Sequence, residues 1–326
     1  MEKCYLGIDV GSVSTNLVLL SENDEVLESI YLRTEGKPIA TVQKALNILQ
    51  QRLPSNYRIK GVGSTGSARY LTNVVVGGDC VKNEITAHAV AALHINPQVR
   101  TVIEIGGQDS KIIILQDGIV TDFAMNTVCA AGTGSFLDQQ ANRLNIPIQD
   151  LGEIALQSTS PVRIAGRCAV FAESDMIHKQ QMGYSIPDIV YGLCQALVRN
   201  YLNNLGKGKD INSPIIFQGG VAANKGMKKA FEEALKTEVI VPKYYNVMGA
   251  LGVALIAKEV VVKKGYTNFY GFNICNYDYK TKSFNCNGCP NICKIVEITV
   301  EKEVLGRWGD RCGKWSQSIK RFDKLA

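Results

Sequence analysis

A strand, a glycine-containing turn and a second strand occur twice in this 326-residue chain, and no other pattern limits its possible folds so strongly. The first copy covers residues 5–20, with Asp9 at the end of its first strand. The second copy covers residues 101–115, with Asp109 in its turn. A third strand is predicted after each hairpin. Because a unit that recurs in this way indicates an internal duplication, we expect two halves, each a sheet with helices beside it.

Turns of this kind can bind phosphate groups. Their amides and hydroxyls donate to phosphate oxygens, and a carboxylate at the strand end can hold a hydrated magnesium ion. One such turn is weak evidence, because Gly and Ser also mark ordinary hairpins. Because two such turns occur in one chain, magnesium and phosphate binding is favoured over the alternative that Asp9 and Asp109 only cap loops at strand ends. A third glycine turn lies between a predicted strand at 215–218 and a predicted helix at 225–235, and it can accept a flat adenosine.

The residues predicted to bind the nucleotide form three groups. The catalytic candidates are Asp9, Gln108 and Asp109, and Asp9 is also the candidate magnesium ligand through water. The phosphate candidates are Gly11, Ser12, Val13, Ser14, Thr15, Gly106 and Gly107, and the adenosine candidates are Gly219, Gly220 and Asn224.

Two cysteines in the second half stand ahead of predicted helices. Cys129 precedes a small-residue turn and an amphipathic run, and Cys168 comes just before another helical segment. Unpaired amides and the positive dipole end at a helix start stabilise a thiolate. Two thiolates so placed indicate a shared metal centre, and the alternative is that both are buried as small apolar side chains.

From its composition and first residues we expect a globular protein without membrane spans or a leader. It is 46% hydrophobic and 20% charged, lacks an 18-residue apolar run, and begins directly with a strand-like pattern. We therefore expect a cytoplasmic protein that does not bind membranes. Its ten cysteines would be reduced there, which favours metal ligation or burial over disulfides. Cys4, Cys80 and Cys194 are expected in the core.

The expected organisation is a first half at 1–97, a second half at 98–264 and a basic extension at 265–326. Residues 263–326 contain 12 Lys and Arg against 6 Asp and Glu, which accounts for the net charge of +6. Such an excess fits a solvated surface or an acidic partner, and no nucleic-acid-binding motif accompanies it. Residues 246–255 read as a small-residue helix suited to close packing.

The extension carries a second cysteine motif. Cys286, Cys289 and Cys293 are followed after eighteen residues by Cys312. Cys-x2-Cys on a glycine turn lets two thiolates converge on one tetrahedral metal, which favours a structural zinc site. The same spacing suits a second iron–sulfur centre, and the third reading is unligated cysteines. The segment looks strand-poor, so a metal would supply order that its small core lacks.

The three glycine turns, at residues 7–14, 104–110 and 217–224, resemble those of the actin, heat-shock chaperone and sugar-kinase ATPase superfamily. Within it, the motifs at 128–134 and 168–174 are similar to those of the activator (archerase) component of 2-hydroxyacyl-CoA dehydratases, which are BadF/BadG/BcrA/BcrD-type ATPases. The resemblance covers residues 3–260. It implies an α/β fold with a duplicated actin-like (ribonuclease H-like) ATPase, here followed by a small cysteine-bearing extension.

The resemblance also implies a function and a set of cofactors. Members bind ATP or ADP with Mg²⁺, and a homodimer holds one [4Fe-4S] cluster through two cysteines from each subunit, which correspond to Cys129 and Cys168. They take an electron from ferredoxin or flavodoxin and pass it to a dehydratase or a related double-cubane cluster protein. Where members commonly have an Arg after the Ala-Gly-Thr-Gly turn, this chain has Ser135.

Two other functions use the same scaffold. A sugar or acetate kinase would transfer the γ-phosphate to a small hydroxyl or carboxylate, and a filament or scaffold ATPase would leave the cysteines idle. Neither needs two thiolates at helix starts. An anaerobically purified electron donor should be brown, whereas both alternatives should be colourless.

Overall fold

The computed structural model of the protein describes residues 2–126 and 128–316. The chain forms two compact units, Met1–Ala87 with Gly249–Ala326, and His88–Met248. It passes between them within helix α3 (Glu84–Ile95) and at the start of helix α9 (Met248–Lys264). The expected boundaries at 97 and 264 differ from this division, because α9 and the extension pack with the first half.

The first unit is built on a five-stranded sheet in the order β3-β2-β1-β4-β5. The strands β1, β2 and β3 are antiparallel neighbours, whereas β4 runs parallel to β1 and β5 parallel to β4. Its elements are β1 (Glu2–Val10), β2 (Ser14–Ser21), β3 (Val26–Arg33), α1 (Pro38–Arg52), β4 (Tyr57–Thr65), α2 (Arg69–Val76) and β5 (Cys80–Val81).

The second unit repeats this arrangement with the order β10-β9-β6-β7-β8. Again three antiparallel strands precede two parallel ones, so the predicted duplication is confirmed. Its strands are β6 (Thr101–Ile105), β7 (Ser110–Gln116), β8 (Ile119–Asn126), β9 (Ile215–Gln218) and β10 (Val239–Ile240). Its helices after α3 are α4 (Gly134–Arg143), α5 (Leu151–Leu156), α6 (Ala169–Gln181), α7 (Ile186–Tyr201) and α8 (Lys225–Leu235).

Helix α7 is the central helix of the second unit. Ser185 caps its first turn by accepting a hydrogen bond from the Asp188 amide, and a proline follows at the second helical position. Its apolar face is buried with the sheet side chains. At its last residue the Tyr201 hydroxyl donates to the Lys111 carbonyl oxygen over 2.6 Å. This contact fixes the helix end against β7.

Helix α9 packs very closely in the first unit, as its small residues predict. A side chain at Gly252 would overlap the carbonyl oxygen of Ala87, and one at Gly7 would overlap that of Ala250. The helix runs to Lys264, well past the predicted end at 255, because the residues beyond the small-residue stretch keep a buried side at Ala257 and Val261.

The extension contains a three-stranded antiparallel sheet, so the expectation of a strand-poor segment is wrong. Its order is β11-β12-β13, and the strands are β11 (Tyr279–Asn285), β12 (Lys294–Val300) and β13 (Glu303–Trp308). Ile298, Val300 and Leu305 join the apolar core of the first unit. The Gln43 side chain of α1 donates to the carbonyl oxygens of three extension residues, Ile274, Cys275 and Tyr277.

Within residues 2–126 and 128–316, no helix is both long enough and apolar enough to span a bilayer.

Candidate functional site

The first predicted phosphate turn joins β1 to β2 and is braced by Thr34. The Gly11 amide donates to the Ser14 carbonyl oxygen over 2.8 Å. The Thr34 amide donates to the Val13 carbonyl oxygen over 2.8 Å, and its hydroxyl donates to the Gly11 carbonyl oxygen over 3.1 Å. These bonds fix the turn while Ser12 at its tip stays exposed. Thr34 was not predicted from the sequence, because it lies after β3, far from the turn in sequence.

Two more predicted residues flank this turn. Asp9 lies near the end of β1, paired in parallel register with Thr65 of β4, and is half-buried. The Thr15 and Thr34 hydroxyl oxygens are 3.0 Å apart, and both residues are buried. Thr15 therefore supports the turn from beneath.

The second predicted turn contains a buried ion cluster. The Gly106 amide closes the turn on the Asp109 carbonyl oxygen over 3.0 Å. The Lys111 ammonium lies 2.8 Å from the Asp109 carboxylate and 2.9 Å from that of Glu104. Lys111 and Glu104 are only 2% and 4% exposed, whereas Gln108 is exposed. This arrangement fixes the Asp109 carboxylate through Lys111, and neither Lys111 nor Glu104 was predicted from the sequence.

The third turn follows β9, which runs parallel to β6. Gly219 has a φ of 88°, and a side chain there would overlap the Ile105 carbonyl oxygen, so glycine is required. The Asn224 side-chain oxygen accepts the Met227 amide over 3.0 Å and caps α8. Its amide nitrogen is buried without a hydrogen-bond partner among the described residues.

Cys129 lies in a loop that is fixed by Asn126, the last residue of β8. The Asn126 side chain accepts from the Cys129 amide over 2.9 Å and donates to the Cys129 carbonyl oxygen over 2.8 Å. A short 3₁₀ turn, Ala130–Gly132, follows, and α4 begins only at Gly134. The cysteine therefore precedes α4 by five residues and does not stand directly at its start.

Cys168 is the residue that caps the start of α6, as predicted. The Ala172 amide donates to its carbonyl oxygen over 3.0 Å. The loop before it is anchored to α7, since the Asn200 side chain donates to the Gly166 carbonyl oxygen over 2.6 Å. Both cysteine loops are thus held by asparagine side chains of the same unit.

The helix after Cys129 is hydrogen-bonded to the second predicted phosphate turn. The Gly134 amide donates to the Gly106 carbonyl oxygen over 2.9 Å. The amide and the hydroxyl of Ser135 both donate to the Gly107 carbonyl oxygen, over 2.8 Å and 2.5 Å. These three bonds attach the start of α4 to the turn.

Helix α4 is in turn connected to α6. Glu173 of α6 accepts a hydrogen bond from the Gln139 side chain over 3.0 Å and forms an ion pair with Arg143 at 2.5 Å. Glu173 lies on the second turn of the helix that Cys168 caps. The phosphate turn, α4 and the Cys168 helix consequently form one connected set of contacts within the second unit.

Cys129 and Cys168 have different surroundings from Cys4, Cys80 and Cys194, the cysteines expected in the core. Cys4 and Cys194 are fully buried, and burial raises the pKa of each thiol to about 12. Cys80 is half-buried in its strand, and burial raises the pKa of its thiol to about 11. The residues beside the candidate cluster cysteines are instead apolar and exposed, namely Val128, Val170 and Phe171.

No three His, Cys, Asp or Glu side chains form a group able to hold a metal ion in the part of the chain that the structure describes. Cys129 and Cys168 are thus two potential thiolate ligands on one chain. Cys286, Cys289, Cys293 and Cys312 are present in the extension but are not drawn together around one point. The first predicted phosphate turn belongs to the unit Met1–Ala87 with Gly249–Ala326, and the other two predicted turns belong to the unit His88–Met248.

Comparison with known proteins gives concordant matches over the first four-fifths of the chain. A family model described as the BadF/BadG/BcrA/BcrD ATPase family matches residues 6–257. The (R)-2-hydroxyglutaryl-CoA dehydratase activating ATPase of Acidaminococcus fermentans is 34% identical over 262 residues, which cover 79% of this chain and 98% of that protein. The activator of lactoyl-CoA dehydratase of Anaerotignum propionicum is 34% identical over 263 residues, which cover 79% of this chain and 99% of that protein.

A solved structure agrees with these matches. The activator of the 2-hydroxyisocaproyl-CoA dehydratase from Clostridium difficile with bound ADPNP superposes with a TM-score of 0.73 at 32% identity. The similarity covers 80% of this chain and 97% of that one. The family match ends at residue 257, so the extension lies outside it.

Proposed function

Because this chain belongs to the BadF/BadG/BcrA/BcrD ATPase family, we propose that it uses ATP to deliver a low-potential electron to an iron–sulfur acceptor protein. The acceptor is a 2-hydroxyacyl-CoA dehydratase or a related double-cubane cluster protein, and the donor is ferredoxin or flavodoxin. The observation that carries the proposal is the contact of Gly106 and Gly107 with α4, because it joins a phosphate turn to a cysteine loop.

The nucleotide roles follow the three turns. Residues 11–15 and Gly106 with Gly107 bind the phosphates of ATP, and Asp9 holds Mg²⁺ through water. Gln108 and Asp109 orient the water that attacks the γ-phosphate, and Lys111 keeps the Asp109 carboxylate in place. The adenosine lies at Gly219, Gly220 and the buried Asn224 amide.

Cys129 and Cys168 fit a cluster shared by two subunits. A [4Fe-4S] cluster takes four thiolate ligands and supplies one-electron transfer when bound, so two copies of the chain complete the set. The exposed Val128, Val170 and Phe171 beside the thiols are an apolar surface that a second copy would bury. Such a homodimer in the reducing cytoplasm is therefore part of the proposal.

Nucleotide binding can change the reduction potential of the proposed cluster only if the nucleotide binds more tightly to one arrangement of α4 and α6 than to another. The bonds from Gly106 and Gly107 to α4, and from α4 to Glu173, give the route by which these helices respond. For one electron, a differential stabilisation of roughly 4 kcal/mol corresponds to about 170 mV. Hydrolysis of ATP then resets the helices after transfer.

Replacement of one cluster cysteine tests the proposal. Anaerobically purified protein should be brown and contain about four iron atoms per dimer, and Cys168→Ser should lose the iron and the colour. Cys80→Ser is the control, since this thiol lies on β5 in the other unit and should keep both. Full iron with an unchanged spectrum in Cys168→Ser would overturn the cluster assignment. A colourless parent that phosphorylates sugars or acetate would indicate a kinase instead.

A further inference from the structure

The small sheet of the extension brings four cysteines to one of its ends. Asn285 at the end of β11 pairs with Lys294 at the start of β12, and Trp308 at the end of β13 pairs with Val296. The loop 286–293 and the segment 309–316 therefore leave the same end of the sheet. The first carries Cys286, Cys289 and Cys293, and the second carries Cys312.

The first loop is closed at its base and turned inward at its first cysteine. The Cys286 amide donates to the Cys293 carbonyl oxygen over 2.8 Å, and the Ile292 amide donates to the Cys289 carbonyl oxygen over 3.2 Å. The Cys286 side chain is buried, and its sulfur lies close to the backbone of Gly288, two residues further along the same loop.

The second segment folds over the first. The Trp315 ring packs edge-on against Phe284 of β11, with ring centroids 5.1 Å apart. The Trp315 amide donates to the Asp310 carboxylate over 2.8 Å, which bends the segment around Cys312. The Lys314 ammonium approaches Gly288 of the first loop. Contacts on both sides of Cys312 thus hold its segment against the cysteine loop.

We propose that Cys286, Cys289, Cys293 and Cys312 bind one zinc ion that joins the two segments. Four thiolates in a closed tetrahedral set are the ligands of structural zinc sites. Among the described residues the four side chains are not gathered around one point, so the proposed site requires the exposed Cys289 and Cys312 to turn toward the buried Cys286 when the ion binds. The adjoining Arg311 and Lys314 offset the negative charge that four thiolates give to the site.

Binding from the reduced protein releases the thiol protons, and no electron is transferred. The ion would anchor segment 309–316, whose described contacts with the cysteine loop come largely from Trp315 and Lys314. The site is independent of the electron-transfer proposal, because Cys129 and Cys168 belong to the other unit.

Metal analysis of the full chain tests the site. In a Cys129→Ser/Cys168→Ser background, which removes the proposed shared cluster, the protein should retain about one zinc per chain. Cys289→Ser or Cys312→Ser should abolish that zinc. Cys275→Ser is the matched control, because this half-buried thiol of the same extension donates to the Gln43 carbonyl oxygen and should leave zinc unchanged. A chelator should lower the melting temperature of the background protein and not that of the Cys312→Ser variant.

Two results would overturn the zinc assignment. Iron and sulfide in the Cys129→Ser/Cys168→Ser protein, lost on Cys312→Ser, would show a second iron–sulfur centre at these cysteines. Protein grown with zinc supplementation that contains neither metal would show that the four cysteines are unligated.

Discussion

At the scale of single residues, Lys111 is a buried cation that pairs with two carboxylates. Its ammonium is almost completely buried between two carboxylates, Glu104 and Asp109. Burying ions costs free energy that only good pairing offsets, so removing one partner leaves charges without compensation. The cluster is placed directly beneath a predicted phosphate turn, where it fixes a catalytic candidate.

Lys111→Met should therefore lower the free energy of unfolding by about 3 to 5 kcal/mol and reduce ATP hydrolysis. Lys225→Met is the matched control, because Lys225 pairs with Glu153 on the surface and should cost at most about 1 kcal/mol. Urea denaturation and steady-state hydrolysis measure the two effects. Equal stability losses in the two variants would contradict the role given to burial.

At the scale of elements, α4 connects the second predicted phosphate turn to α6, the helix that follows Cys168. Its first turn is bonded to Gly107, and its later residues are bonded to Glu173 of α6. The Ser135 hydroxyl supplies one of the bonds to Gly107, whereas the Ser135 amide would survive a change of side chain. This position can therefore be altered without removing the helix start.

Ser135→Ala should weaken the coupling between nucleotide and cluster. Loss of one hydrogen bond of about 1 kcal/mol should reduce the difference in midpoint potential between the ADP and ATP-analogue states by up to about 40 mV. Ser174→Ala on α6 is the control, since its hydroxyl donates to the Val170 carbonyl oxygen within its own helix. Anaerobic redox titration in both nucleotide states measures the difference. An unchanged difference in Ser135→Ala would exclude this route.

At the scale of the whole molecule, the proposed homodimer predicts that the apolar surface beside Cys168 is an interface. Val170 and Val262 are each 67% exposed, but only Val170 lies beside a cluster cysteine. Val170→Gln should shift the protein toward monomer and lower its iron content, whereas Val262→Gln should change neither. Sedimentation of the anaerobic proteins, with iron analysis, compares the two. A dimer that tolerates Val170→Gln with full iron would place the interface elsewhere.

The sequence alone determined the duplicated sheets, because the alternation of apolar residues and the glycine turns are local patterns that neighbouring residues impose. It also gave Lys225–Leu235 as a helix, with the bounds that the structure has for α8. The three turns and two cysteine motifs were sufficient to indicate the ATPase family, which the comparisons confirm.

Only the tertiary structure decided which distant side chains support these local features. Thr34 braces the first turn and Glu104 pairs with Lys111 because strand pairing brings them together, and no local periodicity encodes such a pairing. The extension packs with the first unit for the same reason, since Gln43 bonds to Ile274 and Val74 packs against Gly306, each pair more than two hundred positions apart in sequence. Local sequence patterns specify which elements form, whereas the packing of those elements specifies which side chains meet.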